Sequence, residues 1–107
     1  MKKAEYIIVI TAASSQKEAE RIADALVDKR LAACVSIVPK IKSIYIWKGK
    51  KEKTHEVLLI AKSKRERFND IVRQVKILHS YEVPEIISLP IISGNKDYLD
   101  WIREVTS

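Results

Sequence analysis

The side chains best suited to metal chemistry lie in one short stretch of the C-terminal half. His79 is followed closely by Tyr81, Glu82 and Glu85. Imidazole binds copper and zinc well, and carboxylates can complete a site for a divalent cation. The stretch therefore predicts a metal site made of His79, Glu82 and Glu85. The alternative is that His79, at the end of a predicted helix, hydrogen-bonds to backbone carbonyl oxygens.

A second set of residues would suit a small polar ligand. Tyr45 and Trp47 belong to one arm of a predicted hairpin, Lys62 ends its other arm, and Tyr81 and Glu85 precede the last strand. Aromatic walls with one ammonium and one carboxylate are typical of small-molecule pockets. The sequence thus predicts a ligand cleft in which the assembly of subunits brings these residues together. Alternatively, the two hairpin aromatics are packing anchors at a subunit contact, where such residues are enriched.

The other reactive side chains do not indicate a catalytic site. His55 and Glu56 are neighbours on a strand, so their side chains point to opposite faces and cannot chelate one ion together. Cys34 begins an apolar strand, and we expect it to be a buried small hydrophobic residue. No cluster has structural-zinc spacing, no Gly-rich phosphate loop is possible with two glycines, and no nucleophile is paired with a base. We expect a protein that is not an enzyme.

Length and composition predict one domain over residues 1–107. The chain has 47% hydrophobic residues, enough for a single core and too few residues for two. The first apolar run, Tyr6 to Ile10, is too short for a signal peptide or a membrane span. A single cysteine suits a reducing compartment, so we expect a cytoplasmic protein without a membrane partner.

The charge distribution favours a thermostable protein. The net charge is +6, but lysines are dispersed and interleaved with glutamates, and the chain has only two Asn, two Gln, one Met and one Cys. Ion-paired surfaces with few thermolabile residues are typical of thermophilic sources. The same dispersion argues against a concentrated basic patch for nucleic acid.

Hydrophobic periodicity predicts the order β-α-β-β-α-β followed by a short C-terminal helix. The two long helices begin at predicted capping boxes, Ser15–Glu18 and Ser63–Glu66, in which the serine hydroxyl accepts the glutamate amide and the glutamate reaches back to the serine amide. The order is that of the ferredoxin-like split βαβ fold, in the α+β class. The predicted strands are Tyr6–Ile10, Cys34–Trp47 with an interruption at Pro39, Glu56–Lys62 and Glu85–Leu89, with a polar turn at Lys48–Lys51.

The long β2–β3 hairpin and the apolar sheet predict an oligomer. A fourteen-residue arm extends about 45 Å, whereas a domain of this size has a radius of gyration near 13 Å. We therefore expect the tip to lie on another chain. Strands one and four are apolar at nearly every position, so the face away from the helices would be exposed with no further element to cover it. Closed homo-oligomerisation solves this problem.

RNA-recognition domains share the same order of elements, but they need exposed aromatic residues on the central strands. Strand three has none between Thr54 and Lys62. Nucleic acid is therefore not an expected partner.

Several spaced motifs resemble the CutA divalent-cation tolerance family, and together they cover essentially the whole chain. The motifs are Leu31–Val35, Ser43–Lys50, Glu56–Leu59, His79–Ile86, Gly94-Asn95 and Tyr98–Trp101. The resemblance implies a homotrimer of ferredoxin-like subunits, with sheets facing inward and helices outside. It further implies a cytoplasmic, non-enzymatic protein of copper and divalent-cation tolerance, binding such ions weakly. Tyr98 and Trp101 are assigned to packing.

The subunit and trimer also resemble the P-II nitrogen regulators, which bind small effectors in clefts between subunits. The alternative function is therefore a signalling module with a small effector in such a cleft. The chain departs from the CutA pattern at two positions. Family members commonly have His-Pro-Tyr where this chain has His79-Ser80-Tyr81, and some carry a proposed copper-binding cysteine where this chain has Thr11.

Overall fold

A computed structural model describes residues 4–107, and the elements there follow the predicted order. They are β1 (Tyr6–Ala13), α1 (Gln16–Asp28), β2 (Cys34–Trp47), β3 (Lys50–Lys64), a 3-10 turn (Arg65–Arg67), α2 (Phe68–Leu78), β4 (Ile86–Pro90) and α3 (Lys96–Val105). The part of the predicted domain that falls on residues 1–3 lies outside the described residues. Within residues 4–107, each helix is too short or too polar to cross a membrane.

The strands form one antiparallel sheet in the order β2-β3-β1-β4. This arrangement confirms the predicted ferredoxin-like α+β fold. Strands β2 and β4 are the two edges of the sheet, and each presents unpaired backbone groups to its surroundings.

Helices α1 and α2 cover one face of the sheet and make the main core with it. Ile22 and Leu26 of α1 and Ile71 and Val75 of α2 are at most 1% exposed. Burying one such side chain contributes about 1.5–3 kcal/mol relative to leaving it in water. The sheet supplies Ile7, Val9, Val57, Leu59 and Ala61 to the same cluster.

Only the first predicted capping box forms, and only in part. The Ser15 hydroxyl accepts a hydrogen bond from the backbone amide of Glu18, as expected. The Glu18 carboxylate, however, accepts one from the amide of Ser14 and not from that of Ser15. The second predicted capping box, Ser63–Glu66, does not form, so this prediction is wrong. The Ser63 hydroxyl is buried and donates to the carbonyl oxygen of Leu31 at 2.6 Å, so it cannot cap a helix. Helix α2 begins at Phe68, after the 3-10 turn.

The hairpin turn is shorter than predicted. Lys48 and Gly49 alone connect the strands, and Trp47 pairs with Lys50. Both turn residues have positive φ, 51° and 79°, as in the two-residue turns whose twist matches that of paired strands. The predicted four-residue turn is therefore wrong, and β3 starts at Lys50, six residues before Glu56.

The interruption at Pro39 is confirmed as an irregularity of β2. The register shifts between Val38 and Ile41, and Lys40 adopts a positive φ of 60°. Proline is tolerated there because β2 is an edge strand and the bulge needs no amide from it. The fourteen residues of β2 fit within a chain whose longest dimension is 44 Å.

The prediction that no element covers the open face of the sheet is wrong at one end. Helix α3 packs there, where Ile102 is fully buried against Tyr6 and Ala33. Beyond α3 the face stays apolar and exposed, with Ile87 49% and Leu89 42% exposed on β4. The half-buried Ile8, Ile10, Leu58 and Ile60 continue this open face, together with Val38.

Candidate functional site

A cleft of about 790 Å³ lies between the hairpin and the segment that joins α2 to β4. The long β2 carries aromatic side chains out to one wall, and the joining segment supplies the other. Glu56 from β3 lies between these walls. The functional side chains that line the cleft are Tyr45, Trp47, Glu56, Tyr81, Glu82 and Glu85.

The cleft contains most of the predicted ligand-binding set. Tyr45, Trp47, Tyr81 and Glu85 all line it, as predicted. Lys62 does not line the cleft within one chain, and its part in a cleft assembled from several copies stays a prediction. It lies six residues beyond Glu56 on β3, about 20 Å along an extended strand.

Lys62 is instead engaged at the other end of β3, next to β2. Its ammonium donates to the Ser36 hydroxyl at 2.8 Å and lies 3.9 Å from Cys34 Sγ. Cys34 is half-buried, so the prediction of a fully buried residue does not hold in a single chain. It lies near the sheet end that α3 covers.

Glu56 is a residue of the cleft that the sequence reasoning missed. It is 8% exposed, and its Oε2 accepts a 2.8 Å hydrogen bond from the Tyr81 hydroxyl. Burial, followed by the hydrogen bond and the charge of Glu56, raises the pKa of Tyr81 well above its ordinary value. Glu56 has the strand parity of Leu58 and Ile60, which was the available signal that it faces the open side of the sheet.

His79 is a structural residue in this arrangement. Its ring is buried, Nε2 lies 2.7 Å from the carbonyl oxygen of Ala12, and Nδ1 accepts the amide of Tyr81 at 3.0 Å. Because a carbonyl oxygen only accepts, Nε2 carries the hydrogen, and the lone pair of Nδ1 is already used. The alternative prediction, that His79 hydrogen-bonds to a backbone carbonyl oxygen, is thus confirmed. The carbonyl belongs to Ala12 of β1, however, and not to the helix that ends at His79.

The predicted metal set of His79, Glu82 and Glu85 does not assemble within one chain. Glu82 and Glu85 are exposed and line the cleft, whereas both nitrogens of the buried His79 are engaged in hydrogen bonds. Among residues 4–107, no three His, Cys, Asp or Glu side chains form a group that could hold a metal ion. The three residues therefore form no metal site within one chain, and the ligand set stays a prediction.

Glu18 of α1 holds the segment that joins α2 to β4 through a hydrogen bond from the Ser80 amide. Its two carboxylate oxygens accept the amides of Ser14 at 3.0 Å and Ser80 at 3.1 Å, and it lies 3.6 Å from His79 Nδ1. Burial alone would raise the pKa of Glu18, but the hydrogen bonds from Ser14 and Ser80 outweigh it and lower the pKa. The residue thereby fixes the segment that places Tyr81 in the cleft.

Three further candidates lie away from the cleft. His55 is exposed and next to Glu56 on the strand, so the two point to opposite faces as predicted. Tyr98 and Trp101, which were predicted to have a packing role, are 43% and 40% exposed and contact each other with ring centroids 5.5 Å apart. Their packing role is not fulfilled within one chain.

Thr11 faces the helix side of β1, away from the cleft. Its side chain is buried, and within the described part of the chain its hydroxyl has no hydrogen-bond partner. It contributes no ligand to the cleft.

The fold and the cleft together define a class of protein: a ferredoxin-like subunit with a long hairpin, an open apolar sheet face and an aromatic, acidic cleft beside it. A family model described as "CutA1 divalent ion tolerance protein" matches residues 7–105. The chain belongs to this family, which confirms the resemblance drawn from the motifs.

Individual relatives agree with this assignment. The "Divalent-cation tolerance protein CutA" of Thermus thermophilus is 49% identical over 102 residues, covering 95% of this chain and 98% of that protein. "Protein CutA" of Homo sapiens is 48% identical over 92 residues, covering 86% of this chain. This chain spans about half of the human protein's length, 51%.

Solved structures extend the likeness to the fold. The Thermus thermophilus structure titled "Divalent cation tolerance protein (Cut A1)" superposes with a TM-score of 0.93 at 47% identity, covering 95% of this chain and 99% of that one. "CutA1 from Oryza sativa" gives a TM-score of 0.94 at 38% identity, covering 98% and 96%. The names of these relatives mention divalent-cation tolerance or the family alone, and none mentions an effector-signalling role or a catalytic activity.

Proposed function

We propose that this CutA protein is a cytoplasmic homotrimer that acts in tolerance to copper and other divalent cations and catalyses no reaction. The observation that carries the proposal is the family match over residues 7–105, nearly the whole chain. The cleft agrees with it, because its reactive side chains are carboxylates and phenols without an adjacent nucleophile and base.

The open face of the sheet supports the trimeric part of the proposal. Ile87 and Leu89 are nearly half exposed on β4, and both sheet edges, β2 and β4, are free to pair. A closed ring of three copies would bury the apolar face and pair the edges without leaving a new one. Sedimentation should give three times the mass of one chain. A folded single subunit at micromolar concentration would contradict the trimer.

We propose that the metal is held weakly, at the cleft and not at a buried site. Glu82 and Glu85 are exposed there, and oxygen ligands alone bind copper less tightly than imidazole or thiolate do. The Glu82→Gln/Glu85→Gln double variant should weaken Cu(II) binding to metal-free protein. The Glu66→Gln variant, which neutralises an exposed carboxylate elsewhere, should not.

The His79→Ala variant tests the opposite assignment. If it folds and assembles, its Cu(II) affinity should equal that of the unchanged protein, because His79 has no free nitrogen to offer. A large loss of affinity in a folded His79→Ala trimer would return this residue to the site. An unchanged affinity in the Glu82/Glu85 double variant would remove the cleft carboxylates from it.

Tolerance itself needs a cellular measurement. Cells that lack their own family member and express this chain should grow at higher Cu(II) concentrations than cells that carry the empty vector, and the protein should fractionate with the cytoplasm. Equal growth in both strains would contradict the proposed role.

A further inference from the structure

The cleft has an electrostatic character that the amino-acid sequence alone did not reveal. With Lys62 outside it, every charged residue that lines the cleft within residues 4–107 is a glutamate: Glu56, Glu82 and Glu85. The chain as a whole carries a net charge of +6. The cleft is therefore a local acidic surface on a basic protein, and it favours a cationic ligand over an anionic one.

Glu56 is the carboxylate that distinguishes this cleft from a solvated acidic patch. It is 92% buried, and the Tyr81 hydroxyl satisfies only its Oε2. Oε1 accepts no hydrogen bond from any of residues 4–107, although Glu56 lines the cleft. This oxygen is not one of the buried unpartnered atoms among residues 4–107, so it is reached from the cleft, where a bound cation would supply a partner for it.

The aromatic walls of the cleft suit an organic cation. Tyr45, Trp47 and Tyr81 contribute three aromatic rings, and aromatic faces attract ammonium groups strongly when water is excluded. One ring already does so, since Lys48 Nζ lies 5.7 Å from the centre of Trp47. Metal ions need several ligands at close range. No group of three or more His, Cys, Asp or Glu side chains forms among residues 4–107, which agrees with only weak metal binding at Glu82 and Glu85.

We propose that this cleft binds a small organic ammonium compound, with Glu56 as the buried counter-charge and Tyr45 and Tyr81 as the aromatic walls. The Tyr81 hydroxyl donates to Glu56 and holds it in place. Tyr81 is held in turn by the hydrogen bond from its backbone amide to His79 Nδ1 and by the hydrogen bond from the neighbouring Ser80 amide to Glu18. These contacts fix the position of Glu56, which shares the cleft with the exposed Glu82 and Glu85 proposed for metal.

The test uses two probes of the same shape that differ only in charge. Choline carries a quaternary nitrogen, and 3,3-dimethyl-1-butanol has a carbon atom in its place. Calorimetric titration of the assembled, metal-free protein should show saturable choline binding, about tenfold or more tighter than that of the neutral probe. Equal binding of both probes would overturn the proposal. So would absence of binding, which would indicate that a second copy fills the cleft.

Single-residue variants test which side chains bind choline. Glu56→Gln, which keeps an acceptor for Tyr81, should weaken choline binding about tenfold and leave the neutral probe unchanged, and Glu66→Gln should change neither. If Glu56→Gln fails to assemble, Tyr45→Leu replaces it, because Tyr45 is 38% exposed and its loss leaves the core intact. Choline affinity unchanged in the folded variant would overturn the proposal. Cu(II) titration of the same samples measures metal binding separately, so that a failure of the ammonium proposal can be told apart from a failure of the metal proposal.

Discussion

The Tyr81 hydroxyl donates a 2.8 Å hydrogen bond to Glu56 Oε2 and so joins the α2–β4 segment to β3 across 25 positions of the chain. Neither residue would define a site alone. Together they close one wall of the cleft and leave a second carboxylate oxygen of Glu56 for a ligand. The pair has a consequence for stability, because it favours the neutral form of the phenol.

The first prediction concerns the alkaline titration of Tyr81. Burial and the Glu56 carboxylate raise its pKa in the folded state, so the folded protein holds this proton more tightly than the unfolded chain does. The stabilisation is complete below the unfolded tyrosine pKa of about 10 and is lost as the pH rises above it. Ultraviolet titration, with Tyr81→Phe to identify the residue, should show one tyrosine that ionises later than the others.

Glu56→Gln provides the control for that titration. It removes the charge and keeps the bulk, so the Tyr81 pKa should fall towards its ordinary value while remaining above it through burial. If Tyr81 ionises with the other tyrosines in the unchanged protein, the hydrogen bond to Glu56 does not persist in solution.

The second prediction concerns Glu18 and acid. Its lowered pKa means that the folded state favours the carboxylate. The stabilisation is therefore present above the unfolded glutamate pKa of about 4.3 and is lost as the pH falls through the lower folded value. Glu18→Gln should cost about 1–3 kcal/mol at neutral pH, because the buried side chain then offers one neutral oxygen to the Ser14 and Ser80 amides in place of two charged ones.

Urea unfolding at neutral and acidic pH measures this effect. The difference in unfolding free energy between Glu18→Gln and the unchanged protein should narrow in acid, where both lack the charge. Glu20→Gln, an exposed change on the same helix, should alter stability little at either pH. An equal difference for Glu18→Gln at both pH values would show that shape and not charge matters.

The third prediction concerns the unpartnered hydroxyl of Thr11. Thr11→Val keeps the shape of the side chain and removes a buried polar atom that has no hydrogen-bond partner within residues 4–107, so we expect a gain in stability of about 1 kcal/mol. Ser63→Ala is the matched control, since the Ser63 hydroxyl donates to the Leu31 carbonyl oxygen. That variant should lose about 1 kcal/mol. A loss in both variants would reveal a hidden partner for Thr11.

The elements of the fold were predictable because local patterns determine them. The apolar stripe that includes Ile71 and Val75 has helical spacing, and the apolar run of β1 has strand character, so their types followed directly. Non-local partners explain the errors. Ser63 resembled a helix cap until the chain brought Leu31 within hydrogen-bond distance, 32 positions away. Lys48 adopts a left-handed conformation because strand twist selects the two-residue turn.

Only part of the candidate site could be predicted, again because non-local contacts determine the rest. Tyr45, Trp47 and Tyr81 stand out as aromatic residues beside a hairpin and a proline, but Glu56 became relevant only through its register. Lys62 has the same strand parity as Glu56 and so faces the same side of the sheet, yet it lies too far along β3 to reach the cleft. A period-two pattern gives the face of a residue and not its distance from a site.

The last prediction tests the open face itself. Ile87 on β4 is 49% exposed in the single chain, and in the proposed trimer it would be covered by another copy. Ile87→Lys would then place a charge in an apolar contact, which costs several kcal/mol unless the contact opens. Ile77→Lys is the matched control, because Ile77 is 75% exposed on α2, on the other side of the sheet. Sedimentation velocity should show that Ile87→Lys dissociates at concentrations where Ile77→Lys stays assembled. An assembled Ile87→Lys protein would mean that copies meet elsewhere, and the open face would then need a different partner.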